Sequence, residues 1–142
     1  MFSLFPAISL SQVENDGFYI EIDEGRCLYN RVKTFNSRKS VCLIDHPIIS
    51  TEEIVWMSEP KVDRFRRLRT LRFRFSEKGT DKLKIISKIY SEKNLAFVID
   101  GGVICMLKLA GIKQQAIIEI NEPLEDDALE YIYRKIKEKN KL

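Results

Sequence analysis

The chain has 142 residues, 44% of them apolar and 32% charged, with a formal net charge of +3. That length and apolar share fit one domain with a real core. No apolar run approaches the roughly 20 residues a membrane span needs, and a net charge this small does not by itself point to nucleic acid, so local clustering has to decide.

The N-terminal MFSLFPAISLSQ has a short apolar run, but the first basic residue is Arg26. It therefore lacks the charged front of a secretory signal, and the compartment is not readable from this stretch. Phe2, Leu4, Phe5 and Ile8 can pack as an arm or fray. Residues 18–22 (FYIEI) read as a strand, Asp23-Glu24-Gly25 as a turn, and residues 26–29 as an antiparallel return. Residues 34–39 are polar and loop-like, and residues 40–44 form another strand that Asp45-His46-Pro47 ends. Three cysteines, Cys27, Cys42 and Cys105, form no close-spaced motif. Cys42 and Cys105 lie in apolar runs and read as buried thiols, while a Cys27–Cys42 disulfide would require an oxidising compartment.

Ser50 with Glu53 has the spacing of a capping box and predicts a short helix ending near Ser58, before Pro60, with Ile54, Val55 and Met57 as its buried stripe. Trp56 is expected in the core, although tryptophan is also a common interface anchor. In residues 71–75, Leu71, Phe73 and Phe75 alternate with Arg72 and Arg74, the period of a strand with one buried face. Ser76 then caps a helix through about Tyr90, with Leu83, Ile86 and Tyr90 inward. The apolar runs 95–99 and 103–107 flank Asp100-Gly101-Gly102, which supply the positive φ of a tight hairpin turn. Both arms are too apolar for a solvated ribbon, so other elements must cover them. A strand at 116–120 and a helix at about 124–138 follow, with Leu129, Ile132 and Ile136 as the helix seam. Glu125, Asp126 and Asp127 at its front and Arg134, Lys135 and Lys137 at its rear complement the helix dipole. No internal repeat or interior linker divides the chain. The expectation is an α+β fold, a mainly antiparallel sheet covered by helices on one face. Ferredoxin-like topology is expected from about Thr70, with residues 1–45 as a strand-rich segment packed on a main domain of residues 46–142.

Three motifs resemble the head part of the first periplasmic domain of SecD and SecDF, accessory subunits of bacterial protein export. They are the helix entry HPIISTEEIVWM, the strand-to-helix join LRFRFSEKGTDKL and the hairpin LAFVIDGGVI. The likeness runs from Pro47 to Ile136, roughly the C-terminal two-thirds. It departs from the family where Met106-Leu107 replaces a proline beyond the turn, and where Gln114-Gln115 and Glu119-Ile120 replace glycine pairs. The resemblance implies an α+β scaffold, an extracytoplasmic setting and protein binding; this sequence has no apolar run that would supply the family's membrane helices, so it does not imply translocation.

The sharpest local feature is Arg64, Arg66, Arg67, Arg69, Arg72 and Arg74, with Lys61 just before them. Arg72 and Arg74 fit a solvated strand face, and Arg64 to Arg69 a mobile loop neutralised by acids such as Asp126-Asp127. Exposed ion pairs are worth only about 0–1 kcal/mol each, so stability poorly explains so many arginines. An acidic protein, an anionic membrane or nucleic acid stacked on Phe65 are the functional alternatives. His46 is the lone histidine, and with Cys42 it forms no complete metal set; it reads as a strand-end turn residue. Glu125, Asp126, Asp127 and Glu130 read as helix-dipole partners rather than a metal or acid–base site, and Asp100 with its glycines as a turn without a phosphate-loop pattern. No nucleophile turn appears, and Tyr131 and Tyr133 fall on different helix faces, so at least one is expected in water. The sequence therefore assigns no catalytic residue, metal or cofactor. It points to a non-catalytic domain that binds another protein, with an anion- or nucleic-acid-binding module using the arginine cluster as the alternative.

Overall fold

The computed structural model describes residues 15–23, 27, 31–33, 40–109, 117–123 and 127–142. Its chain is mixed α and β with mainly antiparallel sheets, and it divides into two compact units. One unit joins residues 1–50 to residues 91–111; the other joins residues 51–90 to residues 112–142. The contacts thus group the chain differently from a boundary at residue 45, because the long hairpin sorts with the N-terminal strands.

In the first unit, β1 (Gly17–Ile20) lies between β4 (Ile49–Ser50) and β8 (Asn94–Ile99), and β8 pairs on its other side with β9 (Gly102–Lys108). A separate ribbon pairs β2 (Arg31–Lys33) with β3 (Ser40–Cys42). The hairpin expected around Asp100 is present: Asp100 and Gly101 have φ of 52° and 78°, so both turn residues are left-handed, and Ile99 pairs with Gly102. Two positive φ values in a two-residue loop are the type I′ geometry that matches strand twist. Gly102 is already strand. Leu95 to Ile99 are buried at every position, as a central strand covered on both faces requires. Phe18 stacks on its register partner Phe97 at 4.6 Å between ring centroids. On the alternate face Ala96, Val98 and Val103 pack with Tyr19, Val32 and Leu43. The cover of that face is therefore the β2–β3 ribbon and its flank rather than a helix. The return strand expected at residues 26–29 lies, Cys27 excepted, outside the described residues, as do residues 34–39 and the arm of Phe2, Leu4, Phe5 and Ile8. Cys27 and Cys42 form a disulfide, and Cys105, half-buried, lies outside it.

The second unit begins with a 3-10 turn (Thr51–Glu53) followed by β5 (Ile54–Met57). This corrects the helix expected after Ser50. Ser50 ends a strand paired to Gly17, and the β-branched and aromatic run Ile54-Val55-Trp56-Met57 extends instead of coiling. Glu53 does serve a helix cap, but of a distant helix. Its carboxylate accepts from Ser76 Oγ at 2.6 Å, while Ser76 Oγ accepts from Gly79 N at 3.1 Å and starts α1 (Glu77–Ile89). β7 (Leu68–Phe75) is the central strand, with β10 (Ile117–Pro123) on one side and β5 and β6 (Lys61–Asp63) on the other. Leu71, Phe73 and Phe75 are buried together with Ile118 and Ile120. α1 packs against β7, and α2 (Ala128–Asn140) against β5 and β7, burying Leu129, Ile132 and Ile136. Leu83 and Ile86 are buried as expected; Tyr90, expected inward, is the C-cap and exposed. Tyr131 is exposed and Tyr133 half-buried. No helix among the described residues is long and apolar enough to cross a membrane.

The pairings do not give the ferredoxin-like order expected from Thr70 onward. That order needs β7, β8, β9 and β10 in one sheet, whereas β8 and β9 pair with each other and with β1 while β7 pairs with β10. The sequence pattern gave each strand its period but not its partner.

Candidate functional site: the exposed face of the β5–β7–β10 sheet

Alternation along β7 puts Leu71, Phe73 and Phe75 on one face and Thr70, Arg72 and Arg74 on the other. Register then sets the neighbours of the polar row. Glu119 of β10 lies opposite Arg72, Asn121 opposite Thr70, Trp56 of β5 opposite Arg74, and Lys61 of β6 opposite Thr70. These pairings become contacts. Arg72 Nε donates to Glu119 Oε2 at 2.9 Å, Thr70 Oγ1 donates to Asn121 Oδ1 at 2.8 Å, and the Arg74 guanidinium lies 5.3 Å from the Trp56 ring centroid. Trp56 is 38% exposed, which corrects the expectation that it packs in the core. A bulge between Ile54 and Trp56 separates it from the buried Ile54.

Residues 64–67 link β6 to β7 and form the tip of this face. The carboxylate of Asp63 organises it, accepting from the backbone N–H of Phe65 at 3.0 Å and of Arg66 at 3.1 Å, and from Arg66 Nε at 2.7 Å. Those bonds, that from the Arg66 side chain first, hold the Asp63 carboxyl below the usual carboxylate range and raise Arg66. Phe65 is 99% exposed. Arg67 holds φ at 57°, a left-handed conformation that glycine adopts at lower cost. The tip is thus a hairpin end closed by Asp63 in the stretch the sequence reads as a loop.

The six arginines separate by face and partner. Arg69 points the other way, its Nη1 donating to Asp127 at 2.8 Å and Glu130 at 3.0 Å on α2; the Asp127 bond, before all else, raises its guanidinium pKa. This accounts for the acids of that helix front that are described: they hold an arginine besides meeting the dipole, and Asp127 makes no side-chain cap bond. Glu125 and Asp126 lie outside the described residues. Arg66 and Arg72 pair with Asp63 and Glu119. Arg64 and Arg67 are exposed, with no partner among the described residues.

Between tip and sheet lies an open hollow of about 600 Å³, lined by Ser58, Lys61, Asp63, Arg64, Phe65, Arg66, Thr70, Arg72 and Glu119 among others. Four cations and two carboxylates make its wall net positive. A second hollow, in the first unit, is lined by Glu21, Asp23, Glu92, Lys93 and Asn94. There Lys93 donates to Asp23 at 3.1 Å and Asn94 to Glu21 at 2.9 Å. His46 is exposed and meets Asp45 at 2.6 Å, in the turn where the sequence puts it. Asp100, Gly101 and Gly102 are turn and strand start, with the Asp100 N–H donating to Asp16 at 2.9 Å. Among the described residues no group of three or more His, Cys, Asp or Glu side chains is placed to hold a metal. Chemically the arginine face can grip anions and pack against flat or apolar groups. Sequence reasoning named Trp56 as a possible anchor but placed it in the core on the wrong helix, and it missed the hairpin that forms the tip, whose signal was the Asp63-Phe65-Arg66 turn. No protein-family model matches the chain, and no curated protein matches it significantly.

Proposed function

We propose that this chain is a non-catalytic binding domain that engages another protein through the exposed face of the β5–β7–β10 sheet and its hairpin tip. The helices α1 and α2 take the face of Leu71, Phe73 and Phe75, leaving the other for a partner. One observation carries the reading: Trp56 under Arg74 at one end of the face, and at the other a fully exposed Phe65 with Arg64 and Arg67, which have no partner among the described residues. Tryptophan and arginine dominate interface hot spots, and a phenylalanine in water contributes nothing to folding. The same role is what the SecD and SecDF resemblance implies, and an extracytoplasmic, oxidising compartment goes with it. The Cys27–Cys42 disulfide supports that compartment, since such bonds persist mainly outside the cytosol.

Affinity capture from the native host, with the wild-type chain and a Trp56→Ala, Phe65→Ala, Arg74→Ala variant side by side, tests the proposal. All three side chains are exposed, so the variant should keep its far-UV circular dichroism. The expected result is a protein held by the wild type and lost by the variant. An identical set of captured proteins from both would refute it. The second reading, nucleic acid on the same arginines, is favoured by the stacking that Phe65 offers, and it predicts steep loss of binding with salt.

A further inference from the structure

Resting on that reading of the exposed face, we infer that the partner presents an acidic segment in extended conformation, whose carboxylates enter the hollow between the hairpin tip and β7. The arginines supply the argument. Arg66 and Arg72 each hold a carboxylate of this chain, Asp63 at 2.7 Å and Glu119 at 2.9 Å, and each does so through Nε. A guanidinium carries five donors in a planar fork, and neither fork has a further partner among the described residues, so the amino groups of both remain for a second carboxylate. Arg72 and Arg74 sit on alternate strand positions, about 7 Å apart, the interval at which an extended peptide presents alternate side chains. A row of acids on one side of such a peptide therefore meets a matching row of forks. Phe65 and Trp56 at the two ends of the row meet apolar side chains that flank the acids on the same side of the peptide.

Charge balance separates this partner from a polyphosphate. Nucleic acid gains most of its affinity from counterions released as many phosphates are neutralised. Here Asp63 and Glu119 stand in the hollow wall and offset half of its four cations, and the whole chain carries only +3. Phosphates laid along the hollow would meet both carboxylates at close range. A peptide of mixed acidic and apolar character meets a surface of mixed character.

Trp56 is the sole tryptophan and lies on the face itself, so its fluorescence reports occupancy directly. The full chain is titrated with a synthetic peptide of alternating glutamate and valine, of eight residues to match β7. The same peptide with lysine for glutamate, and an oligothymidylate, serve as the other arms, with calorimetry in parallel. The expected result is saturable binding of the glutamate peptide alone, weakened about tenfold by Arg72→Gln with Arg74→Gln and unchanged by Lys88→Gln on α1. Binding of the oligothymidylate without the peptide would overturn the inference in favour of nucleic acid. Silence of both in calorimetry would overturn it too, while the protein-binding reading would stand if the triple alanine variant still lost its captured partner.

Discussion

At the scale of single residues, two side chains hold conformations or environments that local sequence does not favour. Arg67 closes the hairpin tip at a φ of 57°. A left-handed non-glycine residue costs about 1–2 kcal/mol, which glycine would recover in part, less its greater unfolded-chain entropy. Arg67→Gly should therefore raise stability by up to about 1 kcal/mol in urea denaturation while weakening partner capture. A clear loss of stability would show that the arginine serves the fold instead. Tyr19 is the opposite case: it is buried, its hydroxyl donates to the Asn15 carbonyl at 2.6 Å, and burial before all else pushes its pKa up to about 12. The ordinary value is about 10. The folded state thus favours the neutral phenol, so this contribution to stability is complete below pH 10 and is lost as the pH climbs towards 12. Tyr19→Phe should flatten that part of the stability–pH curve and cost about 0.5–1.5 kcal/mol at neutral pH, the worth of the lost hydrogen bond. Neither feature announces itself in sequence: the positive φ of Arg67 comes with the hairpin it closes, and a tyrosine hydroxyl bonded to a carbonyl four residues back leaves no mark in residue type.

At the scale of elements, the hairpin at Asp100 was legible because its turn chemistry is local: only a few residue types accept two successive left-handed conformations. Gly101→Ala should cost about 1–2 kcal/mol on that ground, measured by denaturation, whereas an unaffected midpoint would mean the turn relaxes to another type. The strand 71–75 and the helix behind Ser76 were legible for the same reason, as periodicity and capping act within a few residues. The segment after Ser50 misled because Ser50 and Glu53 carry the capping-box spacing, while Glu53 instead holds the capping hydroxyl of Ser76, 23 residues on. A cap reached through tertiary contact leaves the same residue types in the chain as one reached locally. Trp56 moved from core to surface with that one reassignment, and the most informative residue of the candidate site moved with it.

At the scale of the whole molecule, the α+β class and the antiparallel habit followed from the order of elements, but strand partnership did not. Nothing within residues 94–108 says that β8 pairs with β1 across 75 or more positions of sequence. The arginine cluster was visible as a run of letters, whereas its division into Arg69 on one face, Arg72 and Arg74 on the other and Arg64 to Arg67 at a tip needed the sheet. The Cys27–Cys42 bond closes a separation of 15 residues. By the chain-entropy account such a loop adds about 3 kcal/mol, so reduction should lower the unfolding midpoint of the first unit, followed through its own amides by hydrogen exchange. Equal protection with and without reductant would remove the disulfide as a support for the fold and for an oxidising compartment.

The exposed surface also holds a rival to the arginine face, the apolar flank of α1 at Ile85 and Ile89, 59% and 66% exposed. A photo-crosslinking amino acid placed singly at positions 65, 72 and 85, with irradiation in the native host, distinguishes the two. If the arginine face is the docking surface, positions 65 and 72 give the same partner adduct and position 85 gives none. An adduct at position 85 alone would contradict the assignment and move the interface to the helix.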